Sequence, residues 1–281
     1  MSTVTQSQNT TGEAKFPSMA NTTSDLEQEQ IDQAEYEPAV QPASSRPRHV
    51  KRSAPLDPRG WVSLVIPARN EERCIAEAIE KSIPFVDEIV VVDGHSKDRT
   101  VEIAEQYGVR VVKDNKRGKG EAIRVGAMAV SHPIVVFMDA DGSHDPADIP
   151  AMVEPILANK ADLVIGSRAT GGSDELHGDI DKLFRMAGAD IILIGINKRF
   201  GQNLTESQNG FRAIRTDVIR SLDLKENITT IEQEMLMKTL KRGYIVTEVP
   251  SHEYSRKFGD SSIKLHKVWF RYVYSFIKNL I

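Results

Sequence analysis

From Trp61 onward, short runs of consecutive apolar residues alternate with stretches in which apolar and polar residues recur at helical spacing. Apolar runs bounded by turn residues predict strands buried on both faces, and the 3.6-residue periodicity between them predicts helices. This alternation makes the fold class α/β, with a mostly parallel central sheet flanked by helices. Strands are expected at Val62–Pro67, Glu88–Asp93, Val109–Val112, Ile134–Met138 and Asp162–Gly166, with helices at Glu71–Lys81, Asp98–Tyr107, Glu121–Ser131 and Pro150–Asn159. The second half is mixed: a helix over Asp181–Arg199, a short strand near Phe211, a helix over Thr230–Arg242 and a strand over Tyr244–Pro250.

The two ends of the chain break this pattern. Residues 1–58 are rich in Ser, Thr, Gln, Glu and Pro and poor in large apolar residues, so burial does not offset the entropy of ordering and a disordered tail is expected. The basic run Arg46–Arg52 that closes it reads as a solvated linker, with anionic lipid as the alternative partner. Residues 59–262 are expected to form one domain and 263–281 an amphipathic helix. On that helix Leu265, Val268, Trp269, Tyr272, Phe276 and Leu280 share one stripe, opposite Lys264, Lys267, Arg271 and Lys278. Such a stripe either lies on a membrane surface or covers the core or another subunit.

The net charge of −4 gives no electrostatic case for nucleic acid as a partner. The single cysteine, Cys74, excludes an internal disulfide and reads as a packed thiol. No apolar run approaches the ~20 residues that span a bilayer, and no charged start precedes an apolar block at the N-terminus. The expected location is cytoplasmic, peripheral to the cytosolic face of a membrane.

Against this background the run Ile134–Met138 ends in two carboxylates, Asp139 and Asp141, separated by one residue. Two carboxylates about 4 Å apart repel by roughly 4 kcal/mol at an effective dielectric near 20, so a strand end that carries both asks for a cation. Hard oxygen ligands suit Mg²⁺ or Mn²⁺. The alternative is local: Asp139 capping a helix and Asp141 serving a turn. Asp93 ends another strand, and open α/β sheets place ligands at the carboxyl ends of their strands. Asp98 reads as a cap for the helix that follows. No G-x-G-x-x-G or G-x-x-x-x-G-K-[ST] loop follows the first strand, which disfavours dinucleotide oxidoreductases and phosphate-loop hydrolases.

Five segments together carry a resemblance: Ile66-Pro-Ala-Arg-Asn-Glu71, Val91-Val-Asp-Gly-His-Ser-Lys-Asp-Arg-Thr100, Arg117-Gly-Lys-Gly120, Met138-Asp-Ala-Asp141 and Ile165-Gly-Ser-Arg168. Their order and spacing resemble family 2 glycosyltransferases of the GT-A fold, most closely the polyprenyl-phosphate branch that includes dolichol-phosphate mannose synthase. The resemblance implies a GT-A nucleotide-diphospho-sugar transferase domain and places Pro67, Arg69, Glu71, Asp93, Lys119, Asp139 and Gln208 around the nucleotide-sugar. It assigns the D-x-D pair Asp139 and Asp141 to catalysis and the metal, with Asp141 as the main ligand. Arg168, Arg185, Arg256 and Lys264 resemble residues that hold an acceptor phosphate, with Arg168 and Arg256 among the catalytic set. The sequence departs from the usual pattern at Gly94, where a second acid is common, at Ser143, where many members carry Gln, at Gln208, and at the extra Ser of Ser261-Ser262.

The implied activity is a metal-dependent, inverting transfer of a hexose, mannose or glucose. The donor is a nucleoside-diphosphate sugar such as GDP-mannose or UDP-glucose, and the acceptor a polyprenyl phosphate, dolichyl or undecaprenyl. A phosphate monoester, with a second pKa near ~6, is a ready nucleophile at neutral pH, and arginines grip such an anion bidentately. A hydroxyl acceptor instead needs a base, for which Glu206, Glu232 and Glu234 are candidates, while His144 and His252 are candidate metal or phosphate contacts. Two further readings stay open: transfer to a soluble or saccharide acceptor, and a non-catalytic nucleotide-sugar-binding protein.

Overall fold

A computed structural model describes residues 61–174, 180–256 and 265–280. The expected tail and the segment containing Lys264 lie outside the described residues. The elements follow the chain in this order: β1 (Val62–Ala68), α1 (Ile75–Ser82), β2 (Glu88–Asp93), α2 (Thr100–Gln106), β3 (Arg110–Lys113), α3 (Lys119–Ala129) and β4 (Ile134–Phe137). Then come α4 (Ile149–Leu157), β5 (Leu163–Ser167), α5 (Arg168–Gly171), α6 (Ile180–Phe200), β6 (Arg212–Arg215), α7 (Thr216–Ser221), α8 (Ile231–Lys241), β7 (Val246–Pro250) and α9 (Leu265–Leu280).

The strands form one seven-stranded sheet in the order β3-β2-β1-β4-β6-β5-β7. All neighbouring pairs are parallel except those made by β6, which runs antiparallel to both β4 and β5. Along β1, Leu64 and Ile66 point to one face and Val65 to the other, and all three are fully buried because helices cover both faces. One core layer packs Val65, Val90, Phe137 and Ile165 under α3, α6 and α8 through Ile123, Ile196 and Met235. The other packs Leu64, Val91 and Val136 under α1 and α4 through Ile75, Ile79 and Met152.

Most predicted elements appear with ends moved by a residue or two, the ordinary uncertainty at frayed termini. The short helices α5 and α7 are additions, each a few residues wedged between a strand end and the next segment. Of the C-terminal stripe, Tyr272, Phe276 and Leu280 of α9 pack against the core layer under α8, while the side chains of Leu265, Val268 and Trp269 lie outside the described residues. Cys74 is buried at the start of α1, as the packed-thiol reading expects.

Candidate active site

The carboxyl ends of β1, β2 and β4 meet at one edge of the sheet. The register pairs Ala68 with Asp93, and Met138 donates its N–H to Val65 O just beyond β4. Three carboxyl groups therefore emerge near one another: Glu71 after β1, and Asp139 and Asp141 after β4. The two loops after β1 and β2 are tied together, Asn70 N–H donating to Ser96 Oγ (2.9 Å) and Lys97 N–H to Asn70 Oδ1 (2.8 Å). Asn70 tolerates the left-handed backbone this needs, at φ 58°. Asp98 accepts from the Thr100 N–H at 3.1 Å, the helix-start role read from the sequence.

Asp141 is buried and uses Oδ1 locally, accepting from Ser143 N–H (3.1 Å) and Ser143 Oγ–H (2.6 Å). The turn role weighed for Asp141 is thus real, but it engages one oxygen. The other, Oδ2, faces Arg256 Nε at 3.3 Å. Asp139 caps no helix; the cap at the next turn is Asp145, which accepts from Ala147 N–H. Asp139 instead meets the Lys119 ammonium, at 2.7 and 2.8 Å to its two oxygens. The same ammonium lies 3.1 Å from Glu232 Oε1.

Lys119 reaches this position because its flanking glycines let α3 start against another backbone. A Cβ on Gly120 would sit 2.5 Å from Glu226 O, and one on Gly118 would sit 2.6 Å from Asn227 O. The Gly120 N–H donates to Asn227 O at 2.9 Å, and Glu121 closes the loop by accepting the N–H groups of Asn115 and Arg117. The loop that leads into α8 is thereby fixed on α3, and Glu232 in the first turn of α8 turns toward Lys119. A carboxylate at a helix N-terminus is favoured by the helix dipole.

The electrostatics follow from this crowding. Burial and the facing Asp141 push the Glu71 carboxyl up to about 7, with Arg256 opposing the rise. Burial also works against charge on Lys119, but Asp139 and Glu232 outweigh it and hold the ammonium above its ordinary value. Asp139 is held below the usual carboxylate range, the cost of burial being overcome by Lys119. Glu232 is raised, because burial outweighs the pull of Lys119 and Arg212. Lys119 and Asp139 keep 24% and 27% of their side-chain surface exposed, so a ligand reaches both.

A second cluster adjoins the first. Arg168, at the start of α5, donates Nε–H to Glu206 (2.7 Å) and Nη1–H to Glu253 (3.1 Å). Glu206 Oε1 also accepts three backbone N–H groups, from Ser207, Gln208 and Asn209, and so shapes the loop before β6. Arg212 is fully buried and donates to three carbonyls, those of Asn209, Glu232 and Ser207, at 2.6 to 2.7 Å. Burial pulls its guanidinium down to about 10. The Tyr254 N–H donates to Ser143 O at 2.9 Å, which joins the segment after β7 to the Asp141 loop.

The structure thus brings together Glu71, Lys119, Asp139, Asp141 and Arg256, with Arg168 in the adjoining cluster. Asp93 is buried at 1% exposure and accepts from Ser96 N–H through Oδ1, within its own loop. Pro67 is half-buried and Arg69 exposed at the end of β1. Gln208 donates to Gln233 Oε1 at 3.3 Å. Arg185 falls on α6, and Lys264 lies outside the described residues. His144 stacks on Phe211, with ring centroids 5.0 Å apart, and His252 bridges Asp174 and the Gly171 carbonyl. Glu234 serves Lys238 and the N–H groups of Lys225 and Glu226. The sequence reading missed Glu206 and Glu253 as anchors of Arg168 because they lie 38 and 85 residues away, with no local motif to betray them.

Comparison with known proteins agrees with this arrangement. The chain is 32% identical over 225 residues to an uncharacterized protein of Methanocaldococcus jannaschii, covering 75% of this chain and 90% of that one. It is 28% identical over 207 residues to a dolichyl-phosphate hexose transferase of Haloferax volcanii, covering 72% and 86%. It is 32% identical over 231 residues to a dolichol-phosphate mannosyltransferase of Pyrococcus furiosus, covering 77% of this chain but 64% of that longer one. Among solved structures, glucosyl-3-phosphoglycerate synthase of Mycobacterium tuberculosis, crystallised with Mg²⁺ and uridine diphosphate, matches with a TM-score of 0.64 at 24% identity, covering 79% of each chain. The same enzyme with Mn²⁺, uridine diphosphate and glucosyl-3-phosphoglycerate gives 0.63 at 23%, covering 79% and 80%. The profile of Glycosyl transferase family 2 matches residues 63–223, which span β1 to α7 and the ends of β1, β2 and β4 at the site, and the chain belongs to that family of glycosyltransferases.

Proposed function

We propose that this glycosyltransferase moves a hexose from a nucleoside-diphosphate sugar to a polyprenyl phosphate, with a divalent ion at Asp141. The observation that carries this reading is the meeting of Asp141 with Arg256, which sets an acidic anchor for a cation beside a basic anchor for an anion. Likeness to dolichyl-phosphate transferases supports the acceptor class.

The residues fit a hard ion. Among the described residues no group of three or more His, Cys, Asp and Glu could hold a metal by itself. One or two carboxylates completed by substrate phosphates are the usual provision for Mg²⁺. Asp141 supplies that provision, and Asp139 lies beside it under the control of Lys119. A bound Mg²⁺ or Mn²⁺ would offset the charge gathering on the departing diphosphate. Lys119, positioned by Gly118 and Gly120, adds a second positive charge on the donor side. Glu71, Pro67, Arg69, Asp93 and Gln208 are assigned to the donor with it.

Acceptor phosphate is assigned first to Arg256 and then to Arg168, with Arg185 and Lys264 as outer contacts. Arg168 spends two of its five N–H donors on Glu206 and Glu253, which fix the guanidinium plane and leave the others for an anion. Of the acids considered as a base for a hydroxyl nucleophile, Glu206 and Glu234 are committed to N–H groups and cations, while Glu232 meets Lys119 through one oxygen only. A phosphate acceptor needs no base.

The test is incubation with GDP-mannose or UDP-glucose, dolichyl or undecaprenyl phosphate, and Mg²⁺. The expected product is a charged glycolipid that partitions into organic solvent and disappears with a chelator. Metal-dependent donor turnover with soluble acceptors alone would overturn the lipid assignment. That second reading, a soluble phosphorylated acceptor, is favoured by the fold shared with glucosyl-3-phosphoglycerate synthase.

A further inference from the structure

The outer faces of α6 and α9 carry large apolar side chains that the core does not use. On α9, Phe270, Val273, Tyr274 and Ile277 are 64%, 38%, 58% and 52% exposed. Their spacing of i, i+3, i+4 and i+7 puts them on one helical stripe, turned away from the partly buried Tyr272 and Phe276 that pack against the core. The helix is thus apolar on two sides. On α6, Ile191 and Ile194 are 71% and 65% exposed, beside the buried Ile192 and Ile196.

The two stripes flank one seam. A Cβ on Gly195 of α6 would meet the Phe276 ring of α9 at 2.5 Å, so the helices touch closely there. Ile191 lies one turn from Gly195, and Val273 and Ile277 lie next to Phe276 on the solvent side. The exposed apolar groups therefore stand along both borders of the α6–α9 contact. Cations border them in turn: Lys198 and Arg199 at the end of α6 and Arg271 and Lys278 on α9 are exposed. The α9 sequence contains no acidic residue. Asp190 is the acid on the outer part of α6 between Ala187 and Phe200, and Glu226 lies 3.5 Å from Lys278.

We infer that this face docks flat on an anionic lipid surface. Apolar side chains standing 38–71% exposed on the backs of two helices match the interfacial mode, in which a helix sinks its apolar face about 5–10 Å into the headgroup boundary. The cationic border supplies attraction to anionic headgroups. A second copy is the poorer occupant, because a two-fold interface would set the same cationic border against itself. Of the stripe read from the sequence as facing either lipid or the core, Tyr272, Phe276 and Leu280 cover the core, and a different set, Phe270, Val273, Tyr274 and Ile277, faces outward. Both helices follow segments proposed for the acceptor, α6 coming after Arg168 and α9 after Arg256.

The full chain is floated with phosphatidylcholine vesicles and with vesicles that also contain phosphatidylglycerol, without donor or acceptor. Flotation is expected with the anionic vesicles and reduced by high salt. The triple variant Ile194→Ser, Phe270→Ser, Ile277→Ser changes exposed groups only. It is expected to keep the melting temperature and lower vesicle partitioning by at least about tenfold. A second variant with Arg46, Arg48, Lys51 and Arg52 changed to Ser is expected to keep flotation. Unchanged flotation of the triple variant, or loss of flotation in the tail variant alone, overturns the inference. So does a dimer that fails to float and that the triple variant converts to monomer. Because no sugar transfer is read, this outcome is separate from that of the acceptor assignment.

Discussion

Arg256 Nε stands 3.3 Å from Asp141 Oδ2, so the carboxylate proposed for the metal already faces a cation from the segment proposed for the acceptor. A divalent ion at Asp141 must share that oxygen with Arg256 or displace it. A partly exposed pair of this kind is worth about 0.2–1 kcal/mol. Arg256→Gln is therefore expected to tighten Mn²⁺ binding by up to about fivefold, read from the loss of the free-ion electron paramagnetic resonance signal. The same variant is expected to slow transfer to polyprenyl phosphate by roughly 10- to 100-fold, because it removes a charge-assisted bond to the acceptor. Weaker Mn²⁺ binding in the variant would show that Arg256 helps rather than competes.

Lys119 bridges Asp139 and Glu232, and removing it leaves two acids facing each other beside a Glu232 oxygen that already lacks a hydrogen-bond partner among the described residues. Breaking a buried pair from one side costs about 3–5 kcal/mol, and the partial exposure of Lys119 reduces that to roughly 1–3. Lys119→Met should destabilise the chain by this amount in urea unfolding and abolish the thermal shift given by the donor. Adding Glu232→Gln to it should restore part of the stability and none of the donor response. If the double variant unfolds as early as the single one, the two carboxylates do not communicate through the lysine.

The sheet was legible in advance because burial on both faces writes each parallel strand as an apolar run, and Ile134–Phe137 ending at Asp139 showed where ligands gather. What stayed hidden was pairing at a distance. Nothing near Arg168 points to Glu253, and nothing near Asp141 points to Arg256; the fold alone makes them neighbours. The strand β6 also reads poorly, since Arg212 and Arg215 sit fully buried in it, and Arg212 is tolerated because three carbonyls receive its N–H groups. The early start of α3 at Lys119 depends on contact between Gly120 and the 226–228 backbone, which no local pattern encodes. On α9, a stripe with the right period was visible, but which apolar side faced inward was decided by α8.

Arg168 is a junction between Glu206 and Glu253, with side-chain exposures of 22%, 8% and 16%. Arg168→Ala would leave two largely buried carboxylates without their shared partner, at a cost of about 3 kcal/mol or more. Arg168→Lys keeps the charge but not the fork, so it is expected to retain one of the two contacts and lose about 1–2 kcal/mol. In kinetics the lysine variant should raise the KM for the phosphate acceptor more than the KM for the donor. Equal rises in both would place Arg168 outside the acceptor side. The low pKa of Glu206, which survives burial because Arg168 outweighs it, gives stability present above the ordinary glutamate value and lost as pH falls. That acid sensitivity should shrink in Arg168→Ala.

His252 lies 3.0 Å from Asp174 Oδ1 and 3.1 Å from the Gly171 carbonyl, a tie between the strand exit of β7 and the end of α5. The Asp174 contact comes first and the carbonyl second in raising His252 above its ordinary value. A histidine with a raised folded value contributes stability that is whole below about pH 6.5 and disappears as pH rises through the raised value. Wild type and Asp174→Asn should therefore differ in melting temperature under mildly acidic conditions and converge in alkaline ones. Proton NMR of the His252 ring checks the cause: its titration midpoint should lie above the unperturbed value and fall back toward it in Asp174→Asn. A midpoint that is already unperturbed in the wild type would mean that the Asp174 contact does not persist in solution. The converging melting curves would then need another titrating pair.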